Sequence, residues 1–304
     1  MNVARSNDKL FEQDLELPNV QLDALGRRLI GFEKRYARIE RELKLLMDAQ
    51  GLEAWSTTHY GRELPLLAAL RDRYPLIAFV GDVGTGKSAT ALAMASRLTR
   101  ELKRGGWLFM LSTRVRGAGK VGEMSDLIAQ AFATVRHQAG KDRIAVLVID
   151  EADSIATERA LVQSHHEDKV AVNTLIQRID EVRQLDGRVL VILCTNRFDV
   201  LDPAIVRRIA RIERFERPDD AERLALLQMD LDGMKIDEDT ISDLVRLTGP
   251  RDGKPGFTYS DIRTRLLPTA VARAFPDRAL AAEDLLATVR EIEPSPSLEG
   301  VEGA

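Results

Sequence analysis

Cysteine is nearly absent. The single one, Cys194, has no partner for an intramolecular disulfide, which fits a reducing compartment. No apolar run approaches the ~20 residues that a membrane span requires. The opening MNVARSNDKLFEQD lacks the apolar core of a secretory signal, so the cytoplasm is the expected compartment. Basic residues are not in excess: 44 Lys and Arg face 48 Asp and Glu, a net charge of −4. A protein whose main partner is bulk nucleic acid normally carries a basic face. Nucleic acid is therefore not the expected partner, although a local basic stripe stays open. The adjacent pair His165-His166 lies on a polar loop without further ligands, so no zinc site is expected. Internal repeats are missing as well. What is present is ordinary for a soluble chain: 304 residues, 44% hydrophobic and 30% charged, enough for one large or two modest cores.

The most informative segment is Gly81-Asp82-Val83-Gly84-Thr85-Gly86-Lys87-Ser88, which matches the phosphate-binding pattern G-x-x-x-x-G-K-[ST]. Its context is the one this loop requires. Leu76–Val80 reads as a short buried strand and Ser88–Leu98 as an alanine-rich helix. A loop between strand and helix can aim backbone N–H groups and the positive end of the helix dipole at a phosphate chain. Lys87 supplies a charge to the β- and γ-phosphates, and the Ser88 hydroxyl can ligate Mg²⁺. The chain is expected to bind ATP.

From Pro75 to about Phe215, strands and helices alternate, which implies βαβ units around a parallel sheet. Strands are expected at Leu76–Val80, Trp107–Leu111, Ile144–Ile149, Val189–Cys194 and, more weakly, Arg211–Phe215. Helices follow at Asp220–Leu231, Asp237–Thr248, Ser260–Phe275 and Ala282–Ile292, with Asp219, Asp237 and Ser260 as N-caps. Residues 1 to about 18 are polar and expected to be loose. Leu22, Leu25, Leu29, Phe32, Tyr36, Ile39, Leu43 and Leu46 then form a heptad stripe that Gly51 can stop. That helix either packs on its own ATPase domain or a neighbouring subunit, or is a free-standing coiled coil or partner-docking arm. The tail from Glu293 has the composition of a disordered end. The expected architecture is α/β: a parallel five-stranded P-loop sheet between helices, plus an all-helical lid. Its parts are a helical region at 1–55, the ATPase domain at 56–217, the lid at 218–292 and the tail at 293–304.

A buried run, Val146–Ile149, leads straight into Asp150-Glu151. A carboxylate at the end of such a strand can hold the Mg²⁺ shell, here Asp150. The one after it, Glu151, can polarise the attacking water as general base. Asn196, at the tip of the next strand, can orient that water and report loss of the γ-phosphate.

With Asn196 the sequence begins to resemble the AAA+ ATPases, in which this residue would be sensor 1. The resemblance implies that Arg208 and Arg211, in LDPAIVRRIAR, reach a neighbouring subunit's nucleotide, with Arg207 able to exchange roles. Stabilising the transferring phosphoryl group in this way is worth about 10³–10⁵ in rate. A finger acting in trans needs an oligomer, and a homo-hexamer is the leading assembly. Sensor 2 falls to Arg263, or else Arg265. The resemblance also places a substrate-gripping pore loop at Lys120-Val121-Gly122.

Further segments are similar to the pachytene-checkpoint AAA+ ATPases, which remodel HORMA-domain proteins. They include Val148–Ser154, the helix Val170–Asp180 (close to "VVNxxLxQID") and Arg265-Leu266-Leu267-Pro268 (close to "LRKLP"). The similarity spans roughly residues 75–290. Three features depart from the pattern: a pore loop without aromatics, Ser260-Asp261-Ile262-Arg263 where the family's sensor 2 arginine follows Ser-Gly, and a short helical N-terminus. They suit a compact bacterial relative of the kind that accompanies HORMA proteins and nucleotidyltransferases in antiphage (CBASS) operons. The implied function is partial unfolding of a HORMA partner, which would separate it from a closure peptide or nucleotidyltransferase and switch signalling off. The other reading is an AAA+ factor of DNA metabolism (a loader, initiator or transposition helper).

Overall fold

In the computed structural model, residues 10–112, 123–140, 142–157 and 166–297 are described. By chain contacts they fall into two compact units. One holds the residues up to Arg28, Phe32–Val80 and Ser88–Arg214; the other holds Leu29–Gly31, Gly81–Lys87 and the residues from Phe215 onward.

The first unit is built on a sheet of β1 (Phe11–Leu17), β2 (Leu76–Gly81), β3 (Gly105–Leu111), β4 (Arg143–Ile149), β5 (Val189–Thr195) and β6 (Arg211–Phe215), in the spatial order β1-β3-β4-β5-β2-β6. The pairs β3–β4, β4–β5 and β5–β2 are parallel. β2, β4 and β5 are buried along nearly their whole length, as strands covered on both faces must be. Two helices, Glu123–Gln138 and His166–Arg183, contribute Ile128, Phe132, Val135, Leu175 and Ile179 to the core beside Leu147, Val191 and Leu193.

The sheet has one strand more than expected. β1 lies antiparallel to β3, in the region the polar composition marked as loose. Its sequence FEQDLEL is buried only at Phe11 and Leu17, with Leu15 half-buried and the other residues between them polar and exposed. A charged, one-sided strand is how an edge is protected from further pairing, and that also hides it from a search for apolar runs. The Phe11 ring sits 4.8 Å from that of Phe109, which ties the edge into the core.

The heptad stripe is not one helix. It splits into α1 (Val20–Arg28) and α2 (Phe32–Met47), broken at Gly31, whose φ is 75°. Nor does Gly51 stop it. α2 ends at Met47, and Asp48 caps the next helix, α3 (Ala49–Tyr60), by accepting from the Gly51 N–H. Tyr36, Ile39 and Leu43 are each at most 2% exposed. A Cβ on Gly187, just before β5, would lie 2.7 Å from the Leu46 carbonyl, so α2 rests directly on the ATPase body of its own chain. The seam is used internally, as in the first of the expected readings.

The second unit contains α-helices Asp220–Asp230, Glu238–Leu247, Leu267–Ala272 and Ala282–Glu291 around Leu226, Leu227, Leu244, Phe257, Ile262, Leu266, Leu285 and Val289. Asp219 and Asp237 cap their helices as expected. Ser260 does not cap; its backbone is already helical and its side chain makes no capping bond. Thr258 and Asp261 do that work, with Asp261 N–H donating to Thr258 Oγ1 and Thr258 N–H to Asp261 Oδ2, both at 3.0 Å. The expected helix Ser260–Phe275 opens with a π-helical stretch, Asp261–Leu266, in which the Leu267 N–H donates to the Ile262 carbonyl. Pro268, with no N–H of its own and a ring that crowds the preceding turn, accounts for the widening. The tail is held as far as Ser297 by hydrogen bonds through Ser295 and Ser297.

Candidate nucleotide site

In the second unit, Gly81 is the last residue of β2 and turns the chain into the loop. A Cβ there would lie 2.0 Å from the Phe215 carbonyl oxygen, so no larger residue fits. Gly84 has φ 79°, and its Cβ would meet Thr258 Oγ1 and Ser260 Cβ at 2.7 Å. Its carbonyl accepts from the Ser260 N–H at 3.1 Å. The buried Thr85 hydroxyl donates to the Asp82 carbonyl at 2.8 Å. Lys87, 8% exposed, arches back to donate to the carbonyls of Gly81 and Asp82, each at 2.8 Å. The lysine and threonine thereby hold the loop's first two carbonyls on one side, as a phosphate cradle requires. Gly86 also takes a positive φ, while Val83 is 60% exposed and free to face a ligand or solvent.

In the first unit, Ser88 donates to Asp150 Oδ2 at 2.6 Å, and Asp150 Oδ1 accepts from the Glu151 N–H at 3.0 Å. A hydroxyl and a carboxylate are the hard oxygen donors that Mg²⁺ prefers when it keeps several waters. Glu151 is exposed and sits at φ 47°, a left-handed conformation that costs a non-glycine residue about 1 kcal/mol or more. The strain is maintained by ties between strand ends. The Ala152 N–H donates to the Cys194 carbonyl at 2.9 Å, the Thr195 hydroxyl to Asp153 Oδ1 at 2.7 Å, and the Arg197 N–H to Thr195 Oγ1 at 3.0 Å. Asn196, half-buried, follows β5 directly, so Asn196 and Glu151 stand on neighbouring strand tips.

The arginines are sorted by burial. Arg208 is only 8% exposed. Its Nε and Nη2 donate to the two carboxylate oxygens of Asp180 at 2.7 and 2.9 Å, and its Nη1 to the Ala204 carbonyl at 2.6 Å. The guanidinium also lies 5.2 Å from the centre of the Tyr74 ring. The hydrogen bonds from Arg208 hold the Asp180 carboxyl below its usual range, against the opposing effect of burial. Arg207 is exposed, and Arg211 is 43% exposed at its side chain, 3.6 Å from Glu213. Arg208 and Arg211 therefore do not present themselves as a matched pair.

The lid arginines are engaged elsewhere. Arg263 makes a two-pronged pair with Asp230 at 2.6 and 2.9 Å, and Arg265 reaches Asp261 at 2.9 Å. Ile262 is fully buried in the lid core. What meets the phosphate loop instead is Arg217, whose Nε donates to Asp82 Oδ2 at 2.7 Å, together with the Thr258–Ser260 turn. Sequence reasoning missed both, because neither lies in a motif and Arg217 is separated from Asp82 by the whole ATPase domain. Lys120-Val121-Gly122 and His165 lie outside the described residues. Among the described residues no group of three or more His, Cys, Asp or Glu is placed to hold a metal ion, and no helix is long and apolar enough to cross a membrane.

Comparison with known proteins agrees with this geometry. Residues 77–217 match the model of the ATPase family associated with various cellular activities (AAA). The chain is 50% identical over 292 residues to CD-NTase-associated protein 6 of Escherichia coli strain KTE188, covering 96% of this chain and 98% of that one. It is 37% identical to the protein of that name from strain MS 115-1, covering 98% of each. Among solved structures it superposes on a chain of the E. coli MS115-1 HORMA:CdnC:Trip13 complex with a TM-score of 0.88, at 35% identity, covering 96% of this chain and 98% of that one. Rhizobiales Trip13 gives a TM-score of 0.71 at 33% identity, covering 94% and 99%.

Proposed function

The chain belongs to the AAA ATPases, within the family of CD-NTase-associated protein 6, and from that premise we propose that it spends ATP to remodel a HORMA-domain protein. Remodelling would pull the HORMA partner from a closure peptide or nucleotidyltransferase and so turn antiphage signalling down. The observation that supports this is the match, over nearly the whole of both chains, to a chain of a HORMA:CdnC:Trip13 complex. The residues that chemistry demands accompany it: a P-loop lysine tied to its own loop, a Ser88–Asp150 pair and a strained, exposed Glu151.

In this reading Gly81–Lys87 take the phosphates of ATP. Ser88 and Asp150 would hold Mg²⁺, which would offset phosphate charge when bound. Glu151 accepts the proton of the attacking water, and Asn196 orients that water. Water oxygen bonds to the γ-phosphorus as the bridge to the β-phosphate breaks, giving ADP and phosphate. The arginine segment acts on a neighbouring protomer of a homo-hexamer. Arg207 and Arg211 are open to such a neighbour, whereas Arg208 is consumed inside its own chain and positions the segment. The resulting motion is delivered by Lys120-Val121-Gly122 at a central pore.

The test is Glu151→Gln. It should bind ATP normally, lose roughly 10²- to 10⁴-fold in turnover, and hold a HORMA partner from the same operon in a complex stable to gel filtration. Turnover at the normal rate would remove Glu151 as the base. Normal ATP hydrolysis by the wild type, with no HORMA complex in the Glu151→Gln protein, would remove the substrate.

A further inference from the structure

The second unit contains a closed circuit of hydrogen bonds that begins and ends on the phosphate loop. Arg217 is its hub. Besides Asp82, its Nη1 donates to the carbonyls of Gly256 at 2.6 Å and Ser295 at 2.9 Å, and its Nη2 to that of Pro296 at 2.9 Å. The Ser297 hydroxyl donates to the same Asp82 oxygen at 3.0 Å. Ser295 is anchored in turn: its N–H and hydroxyl donate to Asp261 at 3.1 and 2.6 Å. Asp261 is locked to Thr258, and Ser260 two residues on donates to Gly84. The C-terminal strap therefore grips the loop at Asp82 and, through Asp261, at Gly84.

Electrostatics give this circuit a use. Asp82 is the second residue of a loop whose ligand carries several negative charges, and its side chain is only 9% exposed. A carboxylate in that position repels a phosphate chain unless it is neutralised, and water is poorly placed to do so. Arg217, itself 13% exposed, supplies the opposite charge in direct contact. An arginine side chain has five N–H donors in a fixed fork. Two of the carbonyls that aim this fork belong to the strap. Removing the strap leaves the guanidinium with fewer acceptors and a looser hold on Asp82.

We propose that Arg217 and the strap Ser295–Ser297 are positioning elements of the nucleotide site, in which Arg217 cancels the Asp82 charge, the strap aims Arg217, and together they set the affinity for ATP. The proposal rests on the reading of Gly81–Ser88 as the phosphate loop. It assigns to the C-terminal segment a part in binding that its disorder-like composition conceals.

The experiment is a fluorescence titration of the purified full-length protein with mant-ATP and mant-ADP, alongside steady-state ATPase rates and melting curves. Arg217→Met should weaken mant-ATP roughly tenfold and mant-ADP less, since the diphosphate carries less charge to repel. The loss should appear in KM rather than kcat. Adding Asp82→Asn to Arg217→Met should restore affinity to within about twofold, because no charge is then left to neutralise. A chain ending at Glu293 should lie between wild type and Arg217→Met. Wild-type affinity in Arg217→Met, or no rescue by Asp82→Asn, overturns the proposal. If Arg217→Met does not fold, the chain ending at Glu293 decides alone, and unchanged mant-ATP affinity overturns it. Lys87→Ala separates the two levels. Binding by Lys87→Ala as tight as wild type refutes the phosphate-loop reading itself, whereas its loss beside an unaffected Arg217→Met refutes only the brace.

Discussion

Replacing Asp180 by Asn tests whether Arg208 is an anchor or a finger. Arg208 is 9% and Asp180 38% exposed at their side chains. Breaking a fully buried pair by removing one partner costs about 3–5 kcal/mol, and an exposed pair contributes about 0–1 kcal/mol. With one partner buried and the other partly wet, about 2 kcal/mol is expected. The Ala204 carbonyl and the Tyr74 ring remain to Arg208 and keep the loss from being larger. For a body of this size that corresponds to a fall of about 4–8 °C in the first calorimetric transition. The pH dependence has a definite sign. The folded carboxyl of Asp180 is held below its ordinary value. The pair therefore contributes fully above the unfolded value near 3.9, and its contribution fades as pH drops below that. Asp180→Asn should flatten this acid limb. Arg208→Ala should destabilise by a similar amount, whereas Arg207→Ala and Arg211→Ala should melt within about 1 °C of wild type, as exposed substitutions do. If Asp180→Asn melts with the wild type, the anchor is refuted. If Arg208→Ala keeps its melting temperature while ATP turnover collapses, Arg208 is the finger.

Two further outcomes follow from packing. Gly84→Ala places a methyl group against Thr258 and Ser260 at a backbone angle that alanine avoids; mant-ATP affinity should fall at least tenfold, and retained affinity would show that the loop tolerates side chains there. Leu43→Ala empties a fully buried position of α2 and should cost about 2–5 kcal/mol in urea denaturation. A loss under about 1 kcal/mol would mean that α2 is a detachable arm and not part of the ATPase body.

Local pattern and tertiary consequence part company at identifiable residues. β2, β4 and β5 were legible because a strand covered on both faces must be apolar throughout, and its sequence says so wherever it lies in the chain. The strand–loop–helix around Gly81–Ser88 and the place of Asp150 and Glu151 just past the end of β4 were legible because motif residue types and spacing go together with that local geometry. β1 was not, since an edge strand needs only Phe11 and Leu17 to face inward. Arginine is the hardest case, because its pattern on paper is the same whether it ends in solvent, in a carboxylate or on a neighbour. Arg207, Arg208, Arg211, Arg217 and Arg263 differ in what surrounds them, and that is decided by residues far away in sequence: Asp180 for Arg208, Asp82 and Ser295 for Arg217, Asp230 for Arg263. A buried arginine whose every guanidinium nitrogen already donates within its own chain cannot also reach a phosphate on another chain without breaking those bonds. An exposed one can, at the cost only of side-chain entropy. Burial is thus the test that spacing cannot supply, and by it Arg208 is an anchor within its own chain while Arg207 and Arg211 stay open to solvent.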